Sequence, residues 1–396
     1  MDRQTIQNKI DAIYDEVVAL RRHLHQHPEL SQQEAQTMAF VSDYLTKLKI
    51  PHKTNVGGYG IVGIIGDPNA QSAIALRADM DALPVQEQTG LPYASAVPGV
   101  MHACGHDVHT AILMGTARIL KEMEAELPGT VKLFFQPAEE RGGGARPMIA
   151  DGCLLDPPVK RVMGLHVDPE APVGKVTFFP KVRSASSTAV TIIVHGKSCH
   201  GAQPQTGVDA VLAGAHVVTA LQNLVSRTVS PTDPVVLTIG QFNAGTKGNI
   251  VAGTAEMHGT LRAMSLETRD LMKERIRKVA ESTAALYGAT AEVTIKDSNL
   301  PVIPHGPSNR RMLAVAREAL GEENVIVAKE PVMTAEDFCY FLNEVPGTFF
   351  DLGTTAPDCQ WPQTLHNDRF APDESCIKTG ILLEVLGALA FLTEGE

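Results

Sequence analysis

The chain has 396 residues, enough for two domains and a large buried core. It is 44% hydrophobic and 20% charged, which describes an ordinary globular protein, and a net charge of −11 with no block of lysines or arginines argues against nucleic acid and anionic membrane as partners. The charged N-terminal segment MDRQTIQNKIDAIYDEVV does not read as a signal peptide, and no apolar run approaches the ~20 residues of a membrane span. Cysteines at 104, 153, 199, 339, 359 and 376 have no framework spacing and fit a reducing cytoplasm.

Ile6, Ile10, Ile13, Val17, Leu20 and Leu24 recur at helical spacing and predict an opening amphipathic helix that stops near His27-Pro28. Ser31-x-x-Glu34 has the spacing of a capping box and predicts a second helix through about Leu48. The runs GIVGIIG (60–66) and AIALRA (73–78) read as strands, the second ending in Asp79-Met80-Asp81. A helix over 106–126, a buried strand VKLFFQP (131–137) ending in Glu139-Glu140, a short helix to Gly152 and a strand VMGLHV (162–167) follow. Strands alternating with helices predict a mostly parallel α/β sheet, whose ligands gather at the carboxyl ends of the strands. Asp79, Asp81, Glu139, Glu140 and His166 all fall there.

From about residue 183 the order becomes strand 187–195, helix 207–228, strands 235–242 and 254–263, helix 266–287 and strand 289–296. This β-α-β-β-α-β order is the ferredoxin-like unit and predicts a second domain, 183–296, inserted into a discontinuous first domain of 1–182 and 297–396. The first pattern resumes with helices near 309–320 and 335–344, a strand TFFDLG (348–353) and a closing helix from about Pro372 to Leu392, with the loop LHND (365–368) bringing in His366. Glu336 and Asp337 read as capping residues at a helix start, with a supporting role behind the site as the alternative.

The segment Gly99–Gly115, GVMHACGHDVHTAILMG, crowds His102, Cys104, His106, Asp107 and His109 at a helix entrance. A thiolate with imidazoles suits zinc or another first-row transition metal. Cys104, His106, Glu140, His166 and His366 are too many for one tetrahedral ion with an open position, and they suit two ions sharing a bridge. Glu139, adjacent to Glu140 in an extended segment, is left free as a base. Paired metals, a free carboxylate and a donor for an oxyanion together describe amide hydrolysis. A thiol hydrolase with Cys104 as nucleophile is the competing chemistry.

The segments RRHLHQHPELSQQE (21–34), LRADMDALPVQE (76–87), MHACGHDVHTA (101–111), FFQPAEERGGGA (134–145), GLHVDP (164–169), HGKSCHGAQP (195–204), GTKGNIVAGTAEMHGTLR (245–262), AEDF (335–338) and LHND (365–368) resemble, in order, those of the M20 metallopeptidases, specifically the amidohydrolase branch. The resemblance implies hydrolysis of N-acyl amino acids to a carboxylate and a free amino acid, with N-acetyldiaminopimelate deacetylase and dipeptidase as related alternatives. It implies two divalent transition-metal ions (zinc, manganese, cobalt or nickel) on Cys104, His106, Glu140, His166 and His366, Cys104 bridging, and Glu139 as general base. Asp79-Met80-Asp81 stands where other branches carry a metal-binding His-x-Asp, so His106 looks like the substitute ligand and Asp81 would orient a ligand imidazole. Asp79 reads as structural or as orienting a ligand from behind, His109 as a helix-packing or supporting residue rather than a ligand, and His102 is left without an assigned role. The inserted domain resembles the family's lid and dimerisation domain, which implies a homodimer, with His200 stabilising the oxyanion and Asn249 and Arg262 gripping the substrate.

Overall fold

The computed structural model describes residues 3–141, 143–357, 359 and 364–393. They divide into two compact units. The first comprises residues up to Arg183, Ile303–Glu330 and Asp337 onward; the second comprises Ser184–Val302 and Pro331–Glu336. Residues 331–336 join the second unit because Ser184 bridges both Val302 and Val332, and the Ala185 amide donates to the Thr334 carbonyl.

The first unit is built on an eight-stranded sheet in the spatial order His52–Val56, Gly60–Ile65, Thr130–Gln136, Ala73–Asp79, Val159–Pro172, Gly347–Thr355, Val176–Phe178 and Val325–Val327. The four strands from Thr130–Gln136 to Gly347–Thr355 are mutually parallel, and antiparallel neighbours flank them. Nearly every residue of these four is buried, which explains their continuous apolar runs in place of alternation. The sequence reading misses His52–Val56, Val176–Phe178 and Val325–Val327, which are short and lie at or next to the sheet edges. It also places only 162–167 of the longer strand Val159–Pro172.

Helices Arg3–Gln26, His106–Glu122 and Cys376–Thr393 pack on one another. Cys376–Thr393 is long and apolar enough to cross a membrane by length and composition, which the search for an apolar run overlooked. Its residues from Ile381 to Leu383, with Val385, Ala388 and Phe391, are buried in the core, so an apolar circumference is what packing on several sides demands. The second helix runs Ala35–Lys47 but without the capping box: Glu34 makes no side-chain cap. Ser31 and Glu34 bond elsewhere, as described below. The helix read over 335–344 is shorter, Cys339–Glu344, because Asp337 is tied to other segments.

The second unit has an antiparallel sheet in the order Thr290–Asp297, Ser186–His195, Thr254–Ala263 and Val235–Ala244. Helices Ala210–Thr228 and Leu266–Leu286 cover one face, so strand Ser186–His195 alternates buried and less buried residues. Both helices are side-chain capped: the Asp209 carboxylate accepts from the Val211 and Leu212 amides, and Ser265 Oγ accepts from Thr268 N–H. A two-residue ladder pairs Cys199–His200 with Ile250–Val251.

One buried acid gives the first unit a pH-dependent stability. Glu384 is 2% exposed in the closing helix, and its hydrogen-bond donor is Thr116 Oγ1 at 2.7 Å. Burial raises its carboxyl to about 8, the Thr116 bond lowering it only in part, so the folded protein holds the proton that the unfolded chain releases near its ordinary value of 4.5. A raised pKa means that the folded state binds more protons, so stability falls as pH rises from about 4.5 to 8. The Glu384→Gln variant, which cannot ionise, is expected to escape this loss. Urea unfolding at pH 5 and pH 8 should show the wild type losing on the order of 3 kcal/mol more than the variant.

Candidate active site

The site of the first unit is assembled from strand ends and two strained loops. Strand Ala73–Asp79 leads into Asp81, and helix His106–Glu122 begins at His106. The residue before that helix, Gly105, has φ 85°, and a Cβ there would lie 2.5 Å from Val167 Cγ2, so only glycine admits this approach of helix and strand. Beyond strand Thr130–Gln136, Ala138 is left-handed at φ 54° and turns Glu139 and Glu140. His366 is also left-handed at φ 61°, with its amide donating to the Ala103 carbonyl. Non-glycine residues in this region are costly and persist where the surroundings hold them.

The Asp81 carboxylate is the hub. Oδ1 accepts from the Glu139 amide (3.1 Å) and Oδ2 from the Glu140 amide (3.0 Å) and Ser31 Oγ (2.6 Å). His106 Nδ1 lies 2.9 Å from the Asp81 carbonyl and 3.2 Å from Oδ1. A carbonyl can only accept, so Nδ1 carries a proton and Nε2 is the nitrogen left to face the site; burial opposes a charge on the ring, but the Asp79 carboxylate and the Asp81 bond raise its pKa well above the ordinary value. Burial opposes ionisation of Asp81, but the bonds from His106 and Ser31 outweigh it and hold the carboxyl below its ordinary value.

His166 repeats the arrangement. Its Nδ1–H donates to the Val167 carbonyl at 2.8 Å, leaving the Nε2 lone pair 3.5 Å from Cys104 Sγ. His106 Nε2 is buried and has no hydrogen-bond partner. The ligand atoms of Cys104, His106 and His166 lie within 4.8 Å of one another, and so do those of Cys104, Glu140 and His366. Cys104 is common to the two groups. A third such group joins His106, Glu139 and Glu140. Two imidazole nitrogens, one of them buried without a hydrogen-bond partner, converge with a thiol sulfur and carboxylate oxygens, and such a mixture suits a borderline divalent metal. Burial and the Glu140 charge push the Cys104 thiol well up, which deprives it of the thiolate character a nucleophile needs.

His109 is otherwise engaged. Its Nδ1–H donates to Asp79 Oδ1 at 2.6 Å and its Nε2 accepts from the Val167 amide at 2.9 Å, so neither nitrogen is left for a cation. His102 is buried against the network of Arg21, His25 and Asp107, and burial lowers it to about 4. It is a neutral ring among charged neighbours.

A second buried network lies behind the Glu139 loop, and sequence reasoning missed it. Arg77 donates to Asp79 Oδ2 (2.7 Å), to Gln136 Oε1 (2.8 Å) and to Asp337 Oδ1 (2.9 Å). Gln136 Nε2 also donates to Asp337 Oδ1, at 2.7 Å, and the Ala145 amide donates to Oδ2 at 3.0 Å. Glu34 Oε1 accepts from the Gln32 and Ala138 amides, and burial raises its carboxyl to about 7. The available signal was an Arg and a Gln inside the apolar strands IALRAD and VKLFFQ.

In the second unit, the Gly201 amide donates to the Asn249 carbonyl, bringing the His200 and Asn249 loops together, and both residues are exposed. The Ala202 amide donates to His200 Nδ1 at 3.0 Å, so the neutral ring carries its proton on Nε2. Arg262 is half-buried on strand Thr254–Ala263, with Nη1 lacking a partner among the described residues.

The thermostable carboxypeptidase 1 of Saccharolobus solfataricus is 37% identical to this chain over 393 residues, covering 98% of each. The N-acetyl-L-cysteine deacetylase of Bacillus subtilis is 36% identical over 369 residues, 93% of this chain and 86% of that one. Among solved structures, the YXEP protein of Bacillus subtilis, a dinuclear metal binding peptidase from the M20 family, superposes with a TM-score of 0.84 at 33% identity, covering 96% of this chain and 99% of that one. The model of peptidase family M20/M25/M40 matches residues 75–386, and with its mostly parallel sheet, its second α/β unit and its convergent donor set the chain belongs to that family.

Proposed function

We propose that this protein is a two-metal amidohydrolase that cleaves N-acyl amino acids to a carboxylate and a free amino acid. The observation that carries this reading is the pair of donor groups sharing Cys104, with Glu139 beside them. Cys104, His106 and His166 would hold one ion and Cys104, Glu140 and His366 the other. Zinc, manganese, cobalt and nickel all suit such donors. Bound there, divalent ions supply Lewis acidity, polarising an amide carbonyl and acidifying water. Glu139 takes the proton of the attacking water and returns it to the leaving nitrogen, so one carboxylate serves as base and then acid. Asp81 fixes the His106 ring and, through two amides, the backbone that carries Glu139 and Glu140. The deacetylase activity of the Bacillus subtilis relative and the mechanism agree on an N-acyl amino acid as substrate.

The second unit supplies recognition. His200 Nε2–H is a donor suited to an oxyanion. The orphaned Arg262 nitrogen suits the carboxylate of the amino acid, with Asn249 as a further polar contact. The edge strand Val235–Ala244 exposes Val236 and Phe242, and helix Ala210–Thr228 exposes Val211 and Leu212, which supports a homodimer through this unit. The six free cysteines support residence in the cytoplasm.

The test is release of free amino acid from a panel of N-acyl amino acids by purified protein, after chelation and after adding back Zn²⁺, Mn²⁺ or Co²⁺. Release lost on chelation and restored by a metal is expected. Release that survives complete metal removal would overturn the two-metal reading. The Arg262→Ala variant is expected to raise KM roughly 10- to 100-fold for N-acyl amino acids, the loss of one charge-assisted hydrogen bond, and to leave N-acyl amines lacking the carboxylate unaffected. A V236K/F242K double variant should sediment as a monomer where the parent sediments as a dimer.

A further inference from the structure

We propose that Asp337 is a positioning residue for Glu139, holding the base through the loop that carries it; the inference rests on the reading of Glu139 as general base. Asp337 contacts Glu139 in two ways. Its backbone amide donates to Glu139 Oε1 at 3.2 Å, so the carboxylate that must accept a proton is held directly. Its side chain grips both ends of the loop. Oδ1 accepts from Gln136 Nε2 at 2.7 Å, just before the Pro137–Ala138 turn, and Oδ2 accepts from the Ala145 amide at 3.0 Å and the Gly144 amide at 3.3 Å, just after it.

Packing leaves this loop little alternative. A Cβ on Gly144 would fall 1.7 Å from the Pro137 carbonyl oxygen, so the two ends of the loop run against each other and only glycine fits. Arg77 Nη2 donates to Asp337 Oδ1 at 2.9 Å while Arg77 Nη1 bonds Asp79, anchoring the clasp to the central strand Ala73–Asp79. Asp337 is 0% exposed, and Arg77 and Gln136 are also buried. The loop therefore has two fixed supports: Asp81, which takes the Glu139 and Glu140 amides, and Asp337, which takes the loop ends and the Glu139 side chain. Asp337 has no place in the donor groups that share Cys104. Glu139 is the site residue that Asp337 touches directly.

A double-mutant cycle on the metal-loaded enzyme, with an N-acyl amino acid that the parent cleaves, tests this. Asp337→Asn keeps the shape and loses the charge, and Gln136→Met removes a single neutral donor if the first variant fails to fold. Asp337→Asn is expected to lower kcat about 10- to 100-fold with KM and bound-metal content unchanged. Glu139→Gln is expected to lower kcat roughly 100- to 10,000-fold, and the double variant to match Glu139→Gln alone. Gln136→Met is expected to show the same pattern at smaller size. A wild-type kcat in folded Asp337→Asn, a loss seen only in KM or metal content, or additive losses in the double variant would overturn the positioning role and leave the base assignment standing. A wild-type kcat in Glu139→Gln would overturn the base assignment and this inference with it.

Discussion

The structure of the site depends on one buried carboxylate. Asp81 is 1% exposed and takes donors from Ser31, His106, Glu139 and Glu140, which belong to three separate stretches of sequence. An ionised carboxylate cannot be buried cheaply without such partners. Once it is satisfied, each partner is fixed in turn: an imidazole is set in one tautomer and two consecutive amides are set in one orientation. Removing the Asp81 carboxylate would strand two backbone N–H groups and leave the His106 ring held by the Asp81 carbonyl alone.

The same logic explains what the sequence could and could not disclose. Residue types at strand ends were legible, because a parallel sheet buries its strands and delivers its polar residues where they stop, as with Asp79-Met80-Asp81 and Glu139-Glu140. The β-α-β-β-α-β unit was legible because its sheet is covered on one face and alternates. Ser31 and Glu34 misled because a capping box is a local rule, and here both side chains bond to residues fifty or more positions away. For Asp337 the same local rule favours a cap over its alternative, a supporting role behind the site, and its carboxylate in fact reaches residues 77, 136 and 145. Long-range partners of a short polar residue leave no periodicity, so only the polar residues inside apolar strands, Arg77 and Gln136, could have hinted at them.

The buried histidines divide by what their second nitrogen does. His109 has both nitrogens engaged, with Asp79 and with the Val167 amide, and is a strut between strand and helix. His106 and His166 each donate from Nδ1 to a backbone carbonyl and leave Nε2 facing the site. Sequence spacing makes His106 and His109 equivalent, three residues apart on one helix face. The hydrogen bonds separate them: His109 has both nitrogens engaged, whereas His106 Nε2 has no hydrogen-bond partner.

Charge balance sharpens the same division. Two fully buried arginines take part in the first unit: Arg77 faces Asp79 and Asp337, and Arg21 faces Asp107 and Glu374. These guanidiniums lie with the carboxylates that shape the scaffold. The group that shares Cys104 draws on Glu140, whose neighbour His366 is half-exposed, and on a thiol that burial pushes well above its ordinary pKa. A divalent cation entering there would reverse that last effect, since it favours the thiolate and the neutral imidazoles together. On the proposed reading the scaffold's arginines and the site's metals therefore do the same electrostatic work in adjacent places. The carboxylates that must stay still are neutralised by residues of the chain, and those that must meet substrate are left for ions that can share their coordination with it.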